Sequence, residues 1–382
     1  MPILPSQRHH FDIPSDVAYL NCAYMSPLAN SVVRAGTVGL ERKRRPWTVR
    51  PADFFAQTQQ ARETFARLLG PAATADQIAI VPAASYGMAT AAANLPLKPG
   101  DRVLVMEGEF PSTILTWRDH ARASGAQLVM LAEPPDHDWT RVILAAIDER
   151  TRVAALPALH WVTGARLDLA AVRRRLAEVK GALVLDLTQS LGAMPFDVGE
   201  VDPDFMVAAC YKWLLGPYTT GFLYVAPRHH DGRPLEHHWF GRAGSENFGG
   251  LGYPEEFQPG ARRFDMGEPS NFALLPATVA ALELILGWGV ANIAATAGAF
   301  ADEIIARGGD LGLTAVPAKV RAPHYVGLTS KAGLAPDLAD RLAASRVFVS
   351  VRGGRSLRIT PHVYNEPADV DRLFSVLTQA LG

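Results

Sequence analysis

The chain has little cysteine, little lysine and no excess of charge. Cys22 and Cys210 are its only cysteines, too few for a disulfide framework and without a paired zinc-ligand spacing. That scarcity fits a reducing compartment. Lys plus Arg number 37 and Asp plus Glu number 38, so the formal net charge is −1. Such a balance gives no electrostatic footing for nucleic acid or an anionic membrane surface. The first ten residues lack the basic-then-apolar pattern of a secretory leader. Unbroken apolar runs are missing as well. The uncharged stretches Gln77–Leu97 and Leu284–Ala301 approach the ~20 residues a membrane span needs. Pro82, Gly87 and Pro96 interrupt the first, and Gly287, Asn292 and Gly298 the second. The expectation is a soluble, cytoplasmic protein with no nucleic-acid partner, no membrane and no metal centre. What is present, 48% hydrophobic and 20% charged residues, is a globular balance that excludes disorder, coiled coil and collagen.

The middle of the chain carries a regular rhythm. Short apolar runs recur at Ile78–Pro82, Val103–Met106, Gln127–Leu131, Val153–Leu159, Ala182–Leu185, Phe205–Ala209 and Gly221–Val225. Helix-like segments lie between most of them, the clearest at Leu167–Lys180 with Leu169, Val172, Leu176 and Val179 at helical spacing. Buried runs alternating with amphipathic helices predict βαβ units and a mostly parallel sheet covered on both faces. Only Cys210–Thr220 separates the last two runs, too little for a parallel crossover, so Gly221–Val225 is expected to run antiparallel. A helix at Phe54–Leu69 leads into this sheet. Beyond residue 265 the rhythm changes. Helices are expected at Pro276–Gly287, Val290–Arg307 and Pro367–Leu381, with short strands near Ala315–Ala318, Tyr325–Thr329, Arg346–Arg352 and Ser356–Thr360. The reading is an α/β fold: a large domain over 18–265, and a smaller α+β domain formed by 266–382 with the segment 1–17 beside it.

Ligand sites in open α/β sheets lie at the carboxyl ends of the strands. After the first run come Ala83, Ala84, Ser85, Tyr86 and Gly87, small residues opening a helix. Backbone N–H groups and one hydroxyl there can cradle an anion. Asp186 ends the fifth run, where a carboxylate is costly unless paired. Lys212 follows the sixth run and precedes an apolar turn. A lysine desolvated there favours the neutral amine, which is a nucleophile. A small-residue turn can equally be packing, Asp186 a helix cap, and Lys212 a lysine whose stem packs while its head reaches water. Together the three supply what pyridoxal phosphate needs: an amine for its aldehyde, a carboxylate for its pyridine nitrogen, and donors for its phosphate.

The stretch Leu183–Val225, LVLDLTQSLGAMPFDVGEVDPDFMVAACYKWLLGPYTTGFLYV, resembles the class V aminotransferase superfamily of fold type I. That group includes cysteine desulfurases, kynureninases and isopenicillin N epimerase-like proteins. The resemblance runs from Tyr19-Leu20-Asn21 to Val363-Tyr364-Asn365. It implies a fold type I architecture, pyridoxal 5′-phosphate as cofactor, and a homodimer with its active sites at the interface. It implies Lys212 as Schiff-base lysine, Asp186 at the pyridine nitrogen and Gln189 at the ring hydroxyl. Ala84 and Ser85 would bind the phosphate. Phe110, in a segment similar to the kynureninase N-F-P-T-D, would stack on the ring. Tyr211 would reach the phosphate or the substrate, and Phe240 lies in a segment similar to the kynureninase W-W-G-H. Arg358 would clamp the substrate α-carboxylate, as a planar guanidinium grips two oxygens; Arg352 and Arg355 are weaker candidates.

Departures from the family narrow the reaction. Leu334–Arg355 holds no cysteine, where cysteine desulfurases carry a mobile-loop one, so a Cys-dependent desulfurase is not expected. The cross-subunit phosphate contact reads Gly267-Glu268-Pro269-Ser270-Asn271, with Ser270 or Asn271 substituting for the usual donor or Glu268 reading a substrate amine. His160 and Trp161 stand where relatives often place Asn, making a bulkier, more aromatic wall that would favour an aromatic or apolar substrate, unless Trp161 is structural. The expected function is a pyridoxal-phosphate enzyme of class V aminotransferase type acting on the amino group and α-carbon of an amino acid. The alternatives are a β-lyase or kynureninase-like hydrolase, and a catalytically silent cofactor-binding protein.

Overall fold

The structure, a computed structural model, describes residues 2–250 and 252–381. A short strand β1 (Ala18–Tyr19) precedes α1 (Asn30–Arg42) and α2 (Pro51–Ala66). Strands and helices then alternate: β2 (Ile78–Val81), α3 (Ala84–Asn94), β3 (Arg102–Met106), α4 (Pro111–Ser124), β4 (Gln127–Leu131), α5 (Trp139–Ala146), β5 (Thr151–Pro157) and α6 (Leu169–Glu178). The rhythm continues through β6 (Ala182–Asp186), α7 (Val198–Val201), β7 (Phe205–Ala209) and β8 (Gly221–Val225). The last third holds α8 (Leu274–Trp288), α9 (Val290–Asp310), β9 (Val326–Thr329), α10 (Leu338–Ala344), β10 (Val347–Phe348), β11 (Ser350–Arg352), β12 (Ser356–Ile359) and α11 (Pro367–Leu381).

Seven strands form one sheet in the order β2-β8-β7-β6-β5-β3-β4. β8 is antiparallel to both neighbours, and the remaining pairs are parallel. The short connection through Cys210–Thr220 leaves β8 no room to cross over. Successive side chains of a strand point to opposite faces, and both faces are apolar here. Ile80, Leu104, Leu156, Leu185 and Met206 enter one core, and Val81, Val105, Ala155, Val184 and Val207 the other. Gly87 lets α3 lie close to the sheet, since a Cβ there would come within 2.7 Å of Val207. That close approach sets the start of α3 at the end of β2.

A three-stranded antiparallel sheet, β11-β12-β9, packs with α9, α10 and α11 around a separate core. The N-terminal segment ties into this region. β1 pairs with β10 in parallel, Gln7 N–H donates to the Val363 carbonyl at 2.9 Å, and Arg8 pairs with buried Asp369 at 3.0 Å. α8 packs on α1 and α2 and shares the core of the large sheet, so the division expected at residue 265 falls ahead of a helix belonging to that core. Among the described residues no single helix is long and apolar enough to cross a membrane, and α8 and α9 meet at 76°.

Two expected strands differ. The segment near Ala315–Ala318 makes one isolated bridge, Thr314 to Thr329, and turns at Ala318–Val320, because Pro317 has no N–H for a ladder. Arg346–Arg352 divides into β10 and β11, because its first half pairs with β1 and its second with β12. The buried ion pair of Arg62 with Asp265 straps the sheet edge: Arg62 Nε donates to the Ile78 carbonyl at 3.1 Å, and Asp265 accepts the Ile80 N–H at 2.8 Å.

Candidate active site

A cavity of about 420 Å³ opens at the carboxyl ends of β2, β3, β5, β6 and β7. Asp186 and Lys212 line it. Asp186 is the last residue of β6, buried, and accepts the Thr188 N–H at 2.9 Å. Burial pushes its carboxyl above the usual range, while the Thr188 hydrogen bonds and the Lys212 charge pull the other way. Among the described residues no Arg, Lys or His makes an ion pair with it, so its charge is left for a cation entering the cavity. Lys212 sits in the turn after β7, only 6% exposed. Desolvation pushes its ammonium down to about 8, with Asp186 opposing and Arg358 and Arg352 reinforcing the shift. Its Nζ lies 5.3 Å from the Phe110 ring centroid and 5.2 Å from that of Tyr211.

Ala84 and Ser85 open α3 at the cavity wall. The residue before them, Ala83, provides no side-chain cap, so the first N–H groups of α3 face the cavity end without an internal partner. A helix start in that condition accepts an anionic group. The cavity thus offers a desolvated amine, an unpaired buried carboxylate and an uncapped helix start, and this donor set fits pyridoxal 5′-phosphate.

Phe110, at the start of α4, and Trp161, after β5, meet edge to face at 5.8 Å and both line the cavity. Trp161 Nε1 donates to the Gly108 carbonyl at 2.7 Å. Gln189 lines the cavity with its amide engaged on both sides: Nε2 donates to the Ala23 carbonyl at 3.2 Å, and Oε1 accepts the Trp213 indole N–H at 3.0 Å. Tyr211 lines it beside Tyr218, ring centroids 4.6 Å apart.

The structure places five other candidates, Arg358 among them, outside the cavity lining. His160 turns away, stacks on Trp139 at 5.7 Å and shares a hydrogen bond with Thr163 Oγ1 at 3.1 Å. Phe240 is buried and stacks on Phe55 at 4.4 Å. Ser270 Oγ donates to the Phe54 carbonyl at 2.7 Å. Glu268, in the left-handed region at φ 55°, accepts the Trp239 indole N–H at 3.2 Å. Trp239, Arg242, Phe248 and Tyr253 line another hollow of about 1300 Å³, which shares no residue with the Lys212 cavity. Arg358 lies on β12, buried, 5.7 Å from the Trp161 ring centroid, and donates to Ser350 Oγ at 3.1 Å.

Sequence reasoning passed over Glu109. It is buried against the cavity, its Oε1 accepts the Phe110 N–H at 2.5 Å, and its Oε2 has no partner. Desolvation, reinforced by Asp186, pushes its carboxyl up to about 8. Its position one residue before Phe110 was the available signal. Thr188 and Thr219 also line the cavity, and Thr188 Oγ1 accepts the Ala209 N–H at 3.1 Å, joining the ends of β6 and β7.

Comparison with known proteins agrees with this geometry. Residues 44–373 match the family Aminotransferase class-V. An uncharacterized aminotransferase of Bacillus subtilis is 27% identical over 325 residues, 81% of this chain and 80% of that protein. A kynureninase of Deinococcus radiodurans is 31% identical over 290 residues, 71% of this chain and 66% of that protein. The apo structure of a cysteine desulfurase from Thermococcus onnurineus NA1 superposes with a TM-score of 0.87 over 100% of this chain and 99% of that one, at 18% identity, which establishes the fold type I architecture. With the match spanning most of its length and the cavity furnished as described, the chain belongs to the class V aminotransferase family, and its cofactor is pyridoxal 5′-phosphate.

Proposed function

We propose that the protein acts on the α-carbon and amino group of an amino acid, as a class V aminotransferase-type enzyme. The observation that carries this reading is the placement of Lys212 and Asp186 on adjacent strand ends in one cavity, beside the uncapped start of α3. Pyridoxal phosphate, when bound, supplies an electron sink for the charge left at the substrate α-carbon. Lys212 Nζ takes the α-proton and later returns it, for which an amine near 8 is suited at neutral pH. Asp186 would hold the cofactor's ring nitrogen, whose positive charge would favour the carboxylate against the burial that raises it. Ala84 and Ser85 would hold the phosphate, Phe110 would cover the ring, Gln189 would meet its hydroxyl, and Tyr211 would border the phosphate end. Arg358 grips the α-carboxylate, and Trp161 walls the substrate side; His160 supports that wall from behind through the loop it shares with Trp161. Phe240 and Ser270 serve the cavity of a second copy in a homodimer.

Persulfide-forming desulfuration is disfavoured in this reading. Both cysteines are fully buried, and burial pushes the Cys210 thiol up to about 12 and the Cys22 thiol higher still. Neither supplies a thiolate at the mouth of the cavity. A kynureninase-like hydrolysis is the second reading, favoured by the Phe110-Pro111-Ser112-Thr113 segment and by the kynureninase relative.

The test is the visible spectrum of purified protein with pyridoxal phosphate, before and after borohydride, beside Lys212→Ala. A visible band that borohydride abolishes and the variant lacks supports the reading, and a colourless holo preparation overturns it. Conversion of the band by an amino acid alone, restored by a keto acid, indicates transfer. Turnover without any amino acceptor indicates the hydrolase or lyase.

A further inference from the structure

We propose that the substrate carries two negatively charged groups, the first taken by Arg358 and the second by Arg352. The proposal rests on the reading of the Lys212 cavity given above and deepens it to a substrate class, amino acids with an acidic side chain.

The other buried arginine among the described residues, Arg62, has a carboxylate partner in Asp265, and half-buried Arg8 has one in Asp369. Arg358 and Arg352 differ. Arg358 is 2% exposed, donates to Ser350 Oγ and lies beside the Tyr325 phenol, and its Nε is buried without a partner. Arg352 is half-buried, and its Nε is likewise without a partner. Among the described residues neither makes an ion pair with a carboxylate. An unpaired guanidinium withdrawn from water is costly, so an anion is the expected complement.

The two belong to one place. In the β11–β12 register Ser350 stands opposite Arg358, and Arg352 is the next residue on that same face. Their guanidinium carbons lie 5.4 Å and 5.7 Å from the centroid of a single indole, Trp161. Trp161 lines the cavity with Lys212, and both arginines depress the Lys212 ammonium. The ring holds two like charges near one another through cation–π attraction.

The ionisable groups around them leave positive charge over. Lys212, Arg352 and Arg358 are the cations, and Asp186 is the carboxylate that faces Lys212. Glu109, the other cavity acid, is kept protonated by burial. Tyr325 is held neutral by burial, and Tyr24 adds only a phenol beside Arg352. One α-carboxylate complements one guanidinium. The second guanidinium selects a second acidic group, and its fork of donors suits a carboxylate or a similar oxyanion.

The experiment titrates holoenzyme at fixed ionic strength with L-aspartate against L-asparagine and L-glutamate against L-glutamine, following the visible spectrum. Calorimetry with succinate against succinamate repeats the comparison without any reaction. The acid of at least one amino-acid pair is expected to bind about 10- to 100-fold more tightly than its amide, the usual worth of a charged hydrogen bond. Arg352→Gln is expected to erase that preference while leaving amide affinity within about threefold. Arg352→Lys, which keeps the charge and the volume but loses the fork, is expected to retain part of it. Equal affinity for acid and amide in every pair, or an Arg352→Gln variant that weakens both members alike, overturns the proposal while the amide response upholds the reading of the cavity. No spectral response to any amino acid, with no binding of succinate, overturns both.

Discussion

Two neighbourhoods concentrate unusual side chains, and they are built in opposite ways. At the base of the Lys212 cavity, Asp186 ends β6 and Lys212 follows β7, both buried and fixed by sheet ladders on either side. Around Trp239–Tyr253 the side chains ride on loop, with Phe248 and Trp239 nearly half exposed and Tyr253 fully exposed. The first arrangement spends stability to perturb ionisation: desolvation shifts Lys212 down and Glu109 up until both lie near 8. The second leaves apolar surface uncovered around a hollow of about 1300 Å³.

Mutations can break this contrast, beginning with the largest effect. Lys212→Ala is expected to remove the borohydride-sensitive band and to lower turnover by about 10²–10⁴-fold, the worth of a positioned proton carrier; absorbance and steady-state assays check it. Asp265→Ala leaves Arg62 buried without a partner at the edge of the sheet. It is expected to cost about 3–5 kcal/mol in denaturant unfolding.

Glu109→Gln sharpens the contrast through pH. The Glu109 carboxyl is raised in the fold from 4.5 to about 8. Its contribution to stability is therefore complete below pH 4.5 and is lost as pH rises toward 8, where the fold must hold an ionised acid. The amide cannot ionise. The variant is expected to lose less stability than the parent between pH 5 and pH 8, by an amount on the order of a few kcal/mol. Melting curves of both apoproteins across that range decide it, and parallel pH dependence counts against the assignment. At the small end, Tyr253→Ser on the exposed loop is expected to shift stability by no more than about 0.5 kcal/mol. A larger loss in dilute protein would mean that the loop is held from both sides after all.

Much of the first neighbourhood is legible in the sequence, and little of the second. The seven apolar runs fall on the seven sheet strands, and the short Cys210–Thr220 link foretells the reversed strand β8. Continuous apolar runs and connection length are local properties, so they survive without tertiary information. Phe240 shows the opposite case. Its neighbours suggest a cofactor wall, yet within the chain it stacks on Phe55, some 185 residues earlier. His160 likewise turns from the cavity to Trp139, a choice of rotamer that no spacing encodes.

The sequence by itself determined the strand ends, and with them Asp186 and Lys212, because an ionisable residue closing an apolar run can lie only at the rim of a buried sheet. Only the tertiary structure decided the rest of the site. Glu109 became a perturbed acid, and Arg352 and Arg358 came to share the Trp161 ring, because desolvation and charge coupling depend on which distant segments pack together, and the order of residues along the chain does not state that.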